Sequence, residues 1–206
     1  MKKVHILCNC YTGHLPEVKK ILESVGEVSY RGYDYEELIQ NIQHFDVLLP
    51  SLKIKLDEKL LQKAKRLKLI ATPSTGTDHI DLKSAAILKI EVMSLKDDRE
   101  FLKEITATAE LAFGLILSIV RKIPFAFDST RKGYWNSQDF RGHELSGKIL
   151  GIIGYGRLGE MVSKYAQAFR MHVIANDPYK RIEDNWVSQV DFDTLLKQAD
   201  IITIHV

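Results

Sequence analysis

The chain has 206 residues, of which 45% are hydrophobic and 27% charged, and its formal net charge is +2. This length allows one large domain or two small ones, and the even charge balance excludes a general attraction to nucleic acids or membranes. No apolar run is long enough to span a bilayer and the N-terminus is unlike a secretory signal, so we expect a cytoplasmic protein. Cys8 and Cys10 are the only cysteines. They are too close for a disulfide framework and too few for structural zinc, so no metal site is predicted.

Short apolar runs alternate with helical patterns through the first half of the chain. Helices are predicted at 16–24, 35–42 and 57–64, and they alternate with strands at 4–7, 27–30, 46–49, 68–72 and 90–93. Strands that alternate with helices need crossover connections, which implies a mostly parallel sheet.

The segment 106–124 predicts one long helix that is apolar around most of its circumference. Glu110 lies in its first turn and Arg121 and Lys122 in its last, as the helix dipole favours. More than one surface must cover such a helix. A helix that joins two domains or lies in a dimer interface is therefore favoured over a plain core helix, which remains the alternative.

Periodic structure resumes after a polar connector at 131–147, whose large anchor is Trp135. The second half then predicts strands and helices in alternation, at 148–153, 157–169, 171–176, 192–199 and 201–206.

A glycine pattern, G-x-G-x-x-G, joins the strand at 148–153 to the following helix. In this context Gly154 allows a tight turn, Gly156 lets the backbone approach a pyrophosphate, and Gly159 lets the helix pack on the strand. The helix N-terminus favours phosphates, and Arg157 adds positive charge. A glycine turn without a ligand is the alternative. We predict a dinucleotide site.

The carboxylate of Asp177 follows the next strand at the spacing expected for a residue that holds the adenosine ribose. It would repel the 2′-phosphate of NADP, so the sequence favours NAD. Lys180 and Arg181 lie close by and either soften that repulsion or belong to a solvated turn.

The run 142–159 resembles the signature of the D-isomer-specific 2-hydroxyacid dehydrogenases. Segments 74–81, 108–112 and 199–206 resemble, in family order, the substrate loop, the start of the interdomain helix and a cofactor-lining strand. The resemblance implies a flavodoxin-like substrate domain over 1–103, followed by the first part of a Rossmann NAD-binding domain over 104–206.

The resemblance also implies site residues. Backbone amides of Ser74, Thr75 and Gly76 would bind the substrate carboxylate, and Ser51 and Leu52 occupy the place where the family often carries a basic substrate contact. A turn capped by Asp78 or Asp81 is compatible with the same loop. The residues expected to contact NAD are Thr75, Thr108, Gly154, Tyr155, Gly156, Arg157, Leu158, Gly159, Asp177, His205 and Val206.

The family transfers a hydride between NAD(H) and C2 of a D-2-hydroxy acid or 2-oxo acid, using an arginine, a glutamate and a histidine that this chain does not show before Val206. We therefore predict no catalytic residue in the chain and expect it to be inactive as a fragment. His79 is expected to have a capping or surface role. The resemblance further implies a homodimer through the helix at 106–124.

Two alternatives stay open at this point. The same family includes non-catalytic proteins that use NAD as sensors or corepressors. Methyl transfer from S-adenosylmethionine also uses a glycine turn and an acidic residue, but it gives Arg157 no phosphate partner.

Overall fold

A computed structural model describes residues 3–206, apart from the side chains of Asp97 and Arg99. The chain divides into two compact units, Met1–Leu102 and Lys103–Val206, each with its own hydrophobic core. Their roles as a substrate domain and a cofactor domain remain predictions. None of the helices in the described range has the length and apolarity that crossing a bilayer requires.

Unit 1 contains a parallel sheet of five strands: β1 His5–Cys8, β2 Glu27–Tyr30, β3 Val47–Leu49, β4 Leu69–Ala71 and β5 Glu91–Met93. The strand order is β2-β1-β3-β4-β5, which is the flavodoxin-like order. The helices of this region are α1 Pro16–Val25, α2 Tyr35–Asn41, α3 Glu58–Lys63, α4 Leu82–Ile87 and α5 Arg99–Lys103. The predicted fold of this half is confirmed.

Unit 2 contains a parallel sheet of four strands: β6 Ile149–Ile153, β7 His172–Asn176, β8 Val187–Gln189 and β9 Ile201–Ile204. Their order, β8-β7-β6-β9, corresponds to the first four strands of the Rossmann order 3-2-1-4-5-6. The helices are α6 Ala107–Val120, α7 Ile123–Arg131, α8 Arg157–Ala168 and α9 Phe192–Gln198. The predicted Rossmann character is confirmed.

The single helix predicted over 106–124 is wrong in its extent, because the structure has two helices there. α6 ends at Val120, and Lys122 adopts a left-handed conformation with φ 53° that no helix can continue through. Pro124, the last residue of the predicted helix, lies in the first turn of α7, where no hydrogen-bond partner is available for a backbone N–H and a proline is tolerated. α7 ends at Arg131, the first residue of the predicted connector.

In each sheet, an aspartate that directly precedes one strand, β3 in unit 1 and β9 in unit 2, hydrogen-bonds to the first amide of the neighbouring strand. In unit 1, Asp46 accepts hydrogen bonds from the His5 amide at 2.9 Å and from Arg66 at 2.8 Å. In unit 2, Asp200 accepts one from the Ile149 amide at 2.8 Å, and Lys148 lies 3.5 Å away. These side chains fix the register at the amino ends of the strands, opposite the edge where the candidate site residues lie.

Candidate functional site

The glycine loop begins where β6 ends, and two of its glycines are required by close backbone approach. Gly154 has φ +86°, and a side chain there would lie 2.5 Å from the carbonyl oxygen of His205. A Cβ on Gly159 would lie 2.4 Å from the carbonyl oxygen of Gly154. α8 therefore packs on the end of β6 with no room for a side chain at either position.

Gly156 differs from the other two glycines, because a Cβ added there meets no protein atom within 4 Å. It is the N-cap residue of α8, and no side chain caps the helix at this end. The positive end of the α8 dipole therefore has no side-chain cap and open space beside Gly156. Such a helix end favours an anionic group.

The carboxylate of Asp177 lies beside this loop, at the carboxyl end of β7. Its Oδ1 accepts a hydrogen bond from the amide of Tyr179 and its Oδ2 one from the amide of Tyr155, both at 2.9 Å. The Tyr179 hydrogen bond contributes most to holding the pKa of Asp177 below its usual range, and the Tyr155 hydrogen bond adds to this effect. Asp177 is therefore an ionised group that is already aligned with the glycine loop.

Two residues within the loop direct their side chains away from this open space. The Tyr155 ring is fully buried, and its hydroxyl hydrogen-bonds to Asp184 at 2.8 Å and to Ser163 at 2.9 Å. Burial raises the pKa of Tyr155, so the hydroxyl stays protonated. Leu158 packs against the core of unit 2. Tyr155 and Leu158 therefore have only their backbone available for a ligand.

Arg157 occupies the first position of α8 and is half-buried. One of its guanidinium nitrogens, Nη1, donates a hydrogen bond to the carbonyl of Ile105 at 2.7 Å. The side chain therefore ties the start of α8 to the segment before α6, while its charge stays at the helix end where phosphates are expected.

His205 follows β9 and lines the loop with its backbone. Its amide donates to the carbonyl of Ile153 at 2.7 Å, and its Nε2 lies 2.9 Å from the Thr203 hydroxyl. Burial lowers the pKa of His205.

Val206 is fully exposed. Thr108 is an exposed residue in the first turn of α6, where the N-cap position belongs to Thr106.

The predicted substrate loop in unit 1 follows β4 and is stabilised by hydrogen bonds between its own residues. The hydroxyl of Ser74 hydrogen-bonds to the Gly76 carbonyl at 2.7 Å and lies 2.8 Å from the hydroxyl of the buried Thr72. Within the described residues, the amides of Ser74, Thr75 and Gly76 donate no hydrogen bond. Consecutive unpaired amides in a turn form a cavity for an anion.

The capping residue in this region is Asp81, which accepts hydrogen bonds from the Lys83 and Ser84 amides at the start of α4. Of the two capping candidates, the structure selects Asp81, and the cap coexists with the open amides of the loop. His79 is half-buried, with its Nε2 3.4 Å from the Thr72 hydroxyl. Burial lowers its pKa, partly opposed by Asp78.

Ser51 and Leu52 lie after β3, which pairs directly with β4. Because parallel strands end at one edge of a sheet, these residues share that edge with the substrate loop. The Ser51 hydroxyl accepts a hydrogen bond from the Lys53 amide at 3.3 Å, and Leu52 is exposed. The structure therefore brings the candidate residues of unit 1 together and, separately, those of unit 2 that line the glycine loop.

Sequence reasoning missed the polar group behind the loop, formed by Asp184, Ser163 and the Trp186 indole, whose nitrogen donates to Ser163 at 3.3 Å. No motif marks these residues. β8, which was not predicted, pairs with β7 and so brings Asp184 and Trp186, just before it, close to Ser163.

Comparison with known proteins places these features in a family. Residues 113–206 match the D-isomer specific 2-hydroxyacid dehydrogenase, NAD binding domain. The D-3-phosphoglycerate dehydrogenase of Methanocaldococcus jannaschii is 40% identical, with 91% of this chain and 36% of the relative aligned. The hydroxypyruvate reductase of Thermotoga maritima is 38% identical, with coverages of 87% and 57%. The chain thus spans between about a third and three fifths of these relatives.

The fold is similar to solved structures over nearly its whole length. The Aquifex aeolicus D-lactate dehydrogenase, complexed with NAD and lactic acid, superposes with a TM-score of 0.82 at 28% identity, covering 98% of this chain and 60% of that one. These matches agree with the strand orders of both units and with the glycine loop, and the chain belongs to the D-isomer-specific 2-hydroxyacid dehydrogenase family.

Proposed function

We propose that the protein is an NAD-dependent oxidoreductase that transfers a hydride between NAD(H) and C2 of a small D-2-hydroxy acid or its 2-oxo acid. One observation carries the proposal: the open helix end at Gly156 lies next to the ionised Asp177, which hydrogen-bonds to the same loop. These are the two groups that a dinucleotide needs, one for its pyrophosphate and one for its adenosine ribose.

The pyrophosphate position follows from the space at Gly156. A phosphate there would accept hydrogen bonds from the first amides of α8, which no side chain caps. The guanidinium of Arg157, at the same helix end, adds attraction through its charge while it remains bonded to Ile105.

The ribose position follows from the remaining capacity of Asp177. A carboxylate has about four lone-pair positions. The Tyr155 and Tyr179 amides use one on each oxygen, so both oxygens can still accept from ribose hydroxyls. The phosphate of NADP would instead bring negative charge against this carboxylate. Lys180 is bonded to Glu160, which reduces its ability to neutralise that charge.

The substrate class follows from the loop in unit 1. The amides of Ser74, Thr75 and Gly76 suit a carboxylate, and the family resemblance implies that Thr75 also contacts the nicotinamide end of the cofactor. Ser51 and Leu52, at the same sheet edge, would contact the rest of a small substrate. Neither carries charge, which favours a short, uncharged side chain on the 2-oxo acid.

When bound, NAD would supply the hydride acceptor at its nicotinamide ring. The described residues bind and orient the two reactants, and we assign none of them the proton transfer. His79 and His205 both lie next to threonine hydroxyls, and burial lowers both pKa values. The Asp78 carboxylate only partly opposes the effect of burial on the pKa of His79.

We further propose a homodimer through α6 and α7. On α6, Leu111, Leu115 and Ile119 recur every four residues and are 63%, 54% and 75% exposed. α7 adds the exposed Phe125 and Phe127. Monomeric proteins rarely expose a contiguous apolar patch of this kind, and a second copy would cover it.

The first prediction separates binding from folding at the glycine loop. Gly156→Ala fills the space for a phosphate and should weaken NADH binding at least about tenfold, roughly 1.4 kcal/mol, with a change in stability below about 1 kcal/mol. Gly159→Ala, the matched control, should cost about 1–3 kcal/mol of stability, because its Cβ meets the Gly154 carbonyl. NADH fluorescence titration and chemical unfolding measure both. Normal NADH binding by folded Gly156→Ala would refute the phosphate site.

The second prediction concerns cofactor choice. The wild-type protein should bind NADH more tightly than NADPH, and Asp177→Ala should weaken NADH by about 1–3 kcal/mol, the scale of a lost charged hydrogen bond. Because Asp177 also holds the loop, general loosening would weaken both cofactors alike. If Asp177 selects the cofactor, the ratio of NADH to NADPH affinity should therefore be smaller in Asp177→Ala than in the wild type. An unchanged ratio would leave Asp177 a purely structural role.

The third prediction tests the carboxylate loop with paired ligands. Pyruvate should bind the protein loaded with oxidised NAD, which cannot reduce it, and its methyl ester, which lacks the charge, should bind at least about tenfold more weakly, since charged hydrogen bonds contribute about 1.5–3 kcal/mol each. Isothermal titration calorimetry gives both affinities. Equal binding of acid and ester would show that the amides of the loop do not recognise a carboxylate.

The fourth prediction concerns assembly. Leu115→Lys or Ile119→Lys places a charge in the apolar patch and should convert dimers to monomers or aggregates, as measured by light scattering. Ile21→Lys is the control, because Ile21 is equally exposed at 64% but lies on α1. A wild-type protein that is monomeric at micromolar concentration would exclude this interface.

A further inference from the structure

The two cysteines lie together at the carboxyl end of β1. Cys8 is the last residue of the strand and Cys10 follows two positions later, so extended backbone places both side chains on one side. Their sulfur atoms are 3.7 Å apart, and the Cys10 sulfur is 2.9 Å from the Thr12 hydroxyl. Gly13 leaves room for this arrangement, since a Cβ there would lie 2.5 Å from the Cys8 sulfur.

The two thiols differ in environment. Cys8 is buried, whereas Cys10 is half-buried. The hydrogen bond with Cys8 contributes most to lowering the pKa of Cys10 to about 6; burial opposes this effect, and the Thr12 hydroxyl reinforces it. The hydrogen bond with Cys10 raises the pKa of Cys8. At neutral pH the accessible sulfur is therefore mostly a thiolate, which is the nucleophilic form, and the buried sulfur is a thiol.

Both sulfurs border a cavity of about 260 Å³. The other titratable or charged groups that line it are Tyr11, His14, Tyr30 and Arg31. A cavity of this size admits a small oxidant, and Arg31 contributes a positive charge to its lining. Among the described residues, no group of three histidine, cysteine, aspartate or glutamate side chains is placed to hold a metal ion.

We propose that Cys8 and Cys10 form a reversible redox site, in which Cys10 reacts with a peroxide and Cys8 then closes a disulfide. In the first step the Cys10 thiolate attacks a peroxide oxygen; an S–O bond forms, the O–O bond breaks, and the departing hydroxide takes a proton and leaves as water. The product is a sulfenic acid on Cys10.

In the second step the Cys8 sulfur attacks the Cys10 sulfur. The S–S bond forms as the S–O bond breaks, and the Cys8 proton leaves with the hydroxyl group as a second water. Together the two thiols lose two electrons, and hydrogen peroxide is reduced to two molecules of water. A disulfide needs about 2 Å between sulfurs, so the side chains must rotate from their present contact.

Mass spectrometry of peroxide-treated protein tests both steps. Wild type should lose two hydrogen atoms, resist alkylation at both cysteines, and recover on reduction with dithiothreitol. Cys8→Ser should stop at the sulfenic acid, which dimedone labels on Cys10, and Cys10→Ser should leave Cys8 unoxidised under the same conditions. Persistent sulfenic acid in wild type, or equal oxidation of Cys8 in Cys10→Ser, would overturn the proposal.

The pH dependence of alkylation provides a test that needs no cysteine variant. The rate at Cys10 should rise with an apparent pKa of about 6, against about 8.5 for an ordinary cysteine. Thr12→Val removes one hydrogen bond to the thiolate and should move this midpoint upward. A wild-type midpoint near 8.5 would show that Cys10 is not activated. None of these measurements depends on the cofactor, so they succeed or fail independently of the proposed oxidoreductase function.

Discussion

One backbone contact, between Gly154 and the carbonyl of His205, determines the geometry of the glycine loop. Gly154 directly follows β6, donates its amide to the Asn176 carbonyl at 2.9 Å, and tolerates no side chain because of His205. The ends of β6, β7 and β9 are therefore joined at a single residue. With the chain fixed there, α8 must start immediately, and Asp177 reaches the Tyr155 amide. Any shift at this contact would move both the helix end and the carboxylate.

The features that could be predicted are those that one short segment specifies by itself. The strands other than β8 follow from short apolar runs, and the glycine loop follows from its spacing between a strand and a helix. The position of Asp177 at the end of β7 could be predicted because its distance along the chain reflects one helix and one strand. Capping depends on local hydrogen bonds, so the sequence limited the cap of α4 to two candidates, Asp78 and Asp81.

The features that could not be predicted depend on contacts between distant segments or on unusual backbone. Lys122 adopts a left-handed conformation and separates α6 from α7. The apolar pattern of the sequence continues across this residue, so it predicts a single helix. β8 is three residues long, and its pairing with β7 decides its conformation more than its composition does. The hydrogen bond from Arg157 to Ile105 joins residues 52 positions apart, and no pattern signals it.

The polar group behind the glycine loop affects the intrinsic tryptophan fluorescence of the protein. The chain has two tryptophans. Trp135 is 92% exposed, whereas the Trp186 indole is half-buried and donates to Ser163, which also binds the hydroxyl of Tyr155 in the loop. Water surrounds the first chromophore and a fixed polar network surrounds the second. The intrinsic tryptophan fluorescence therefore has two components. Trp135 reports on solvent, and the Trp186 environment depends on the conformation of the glycine loop.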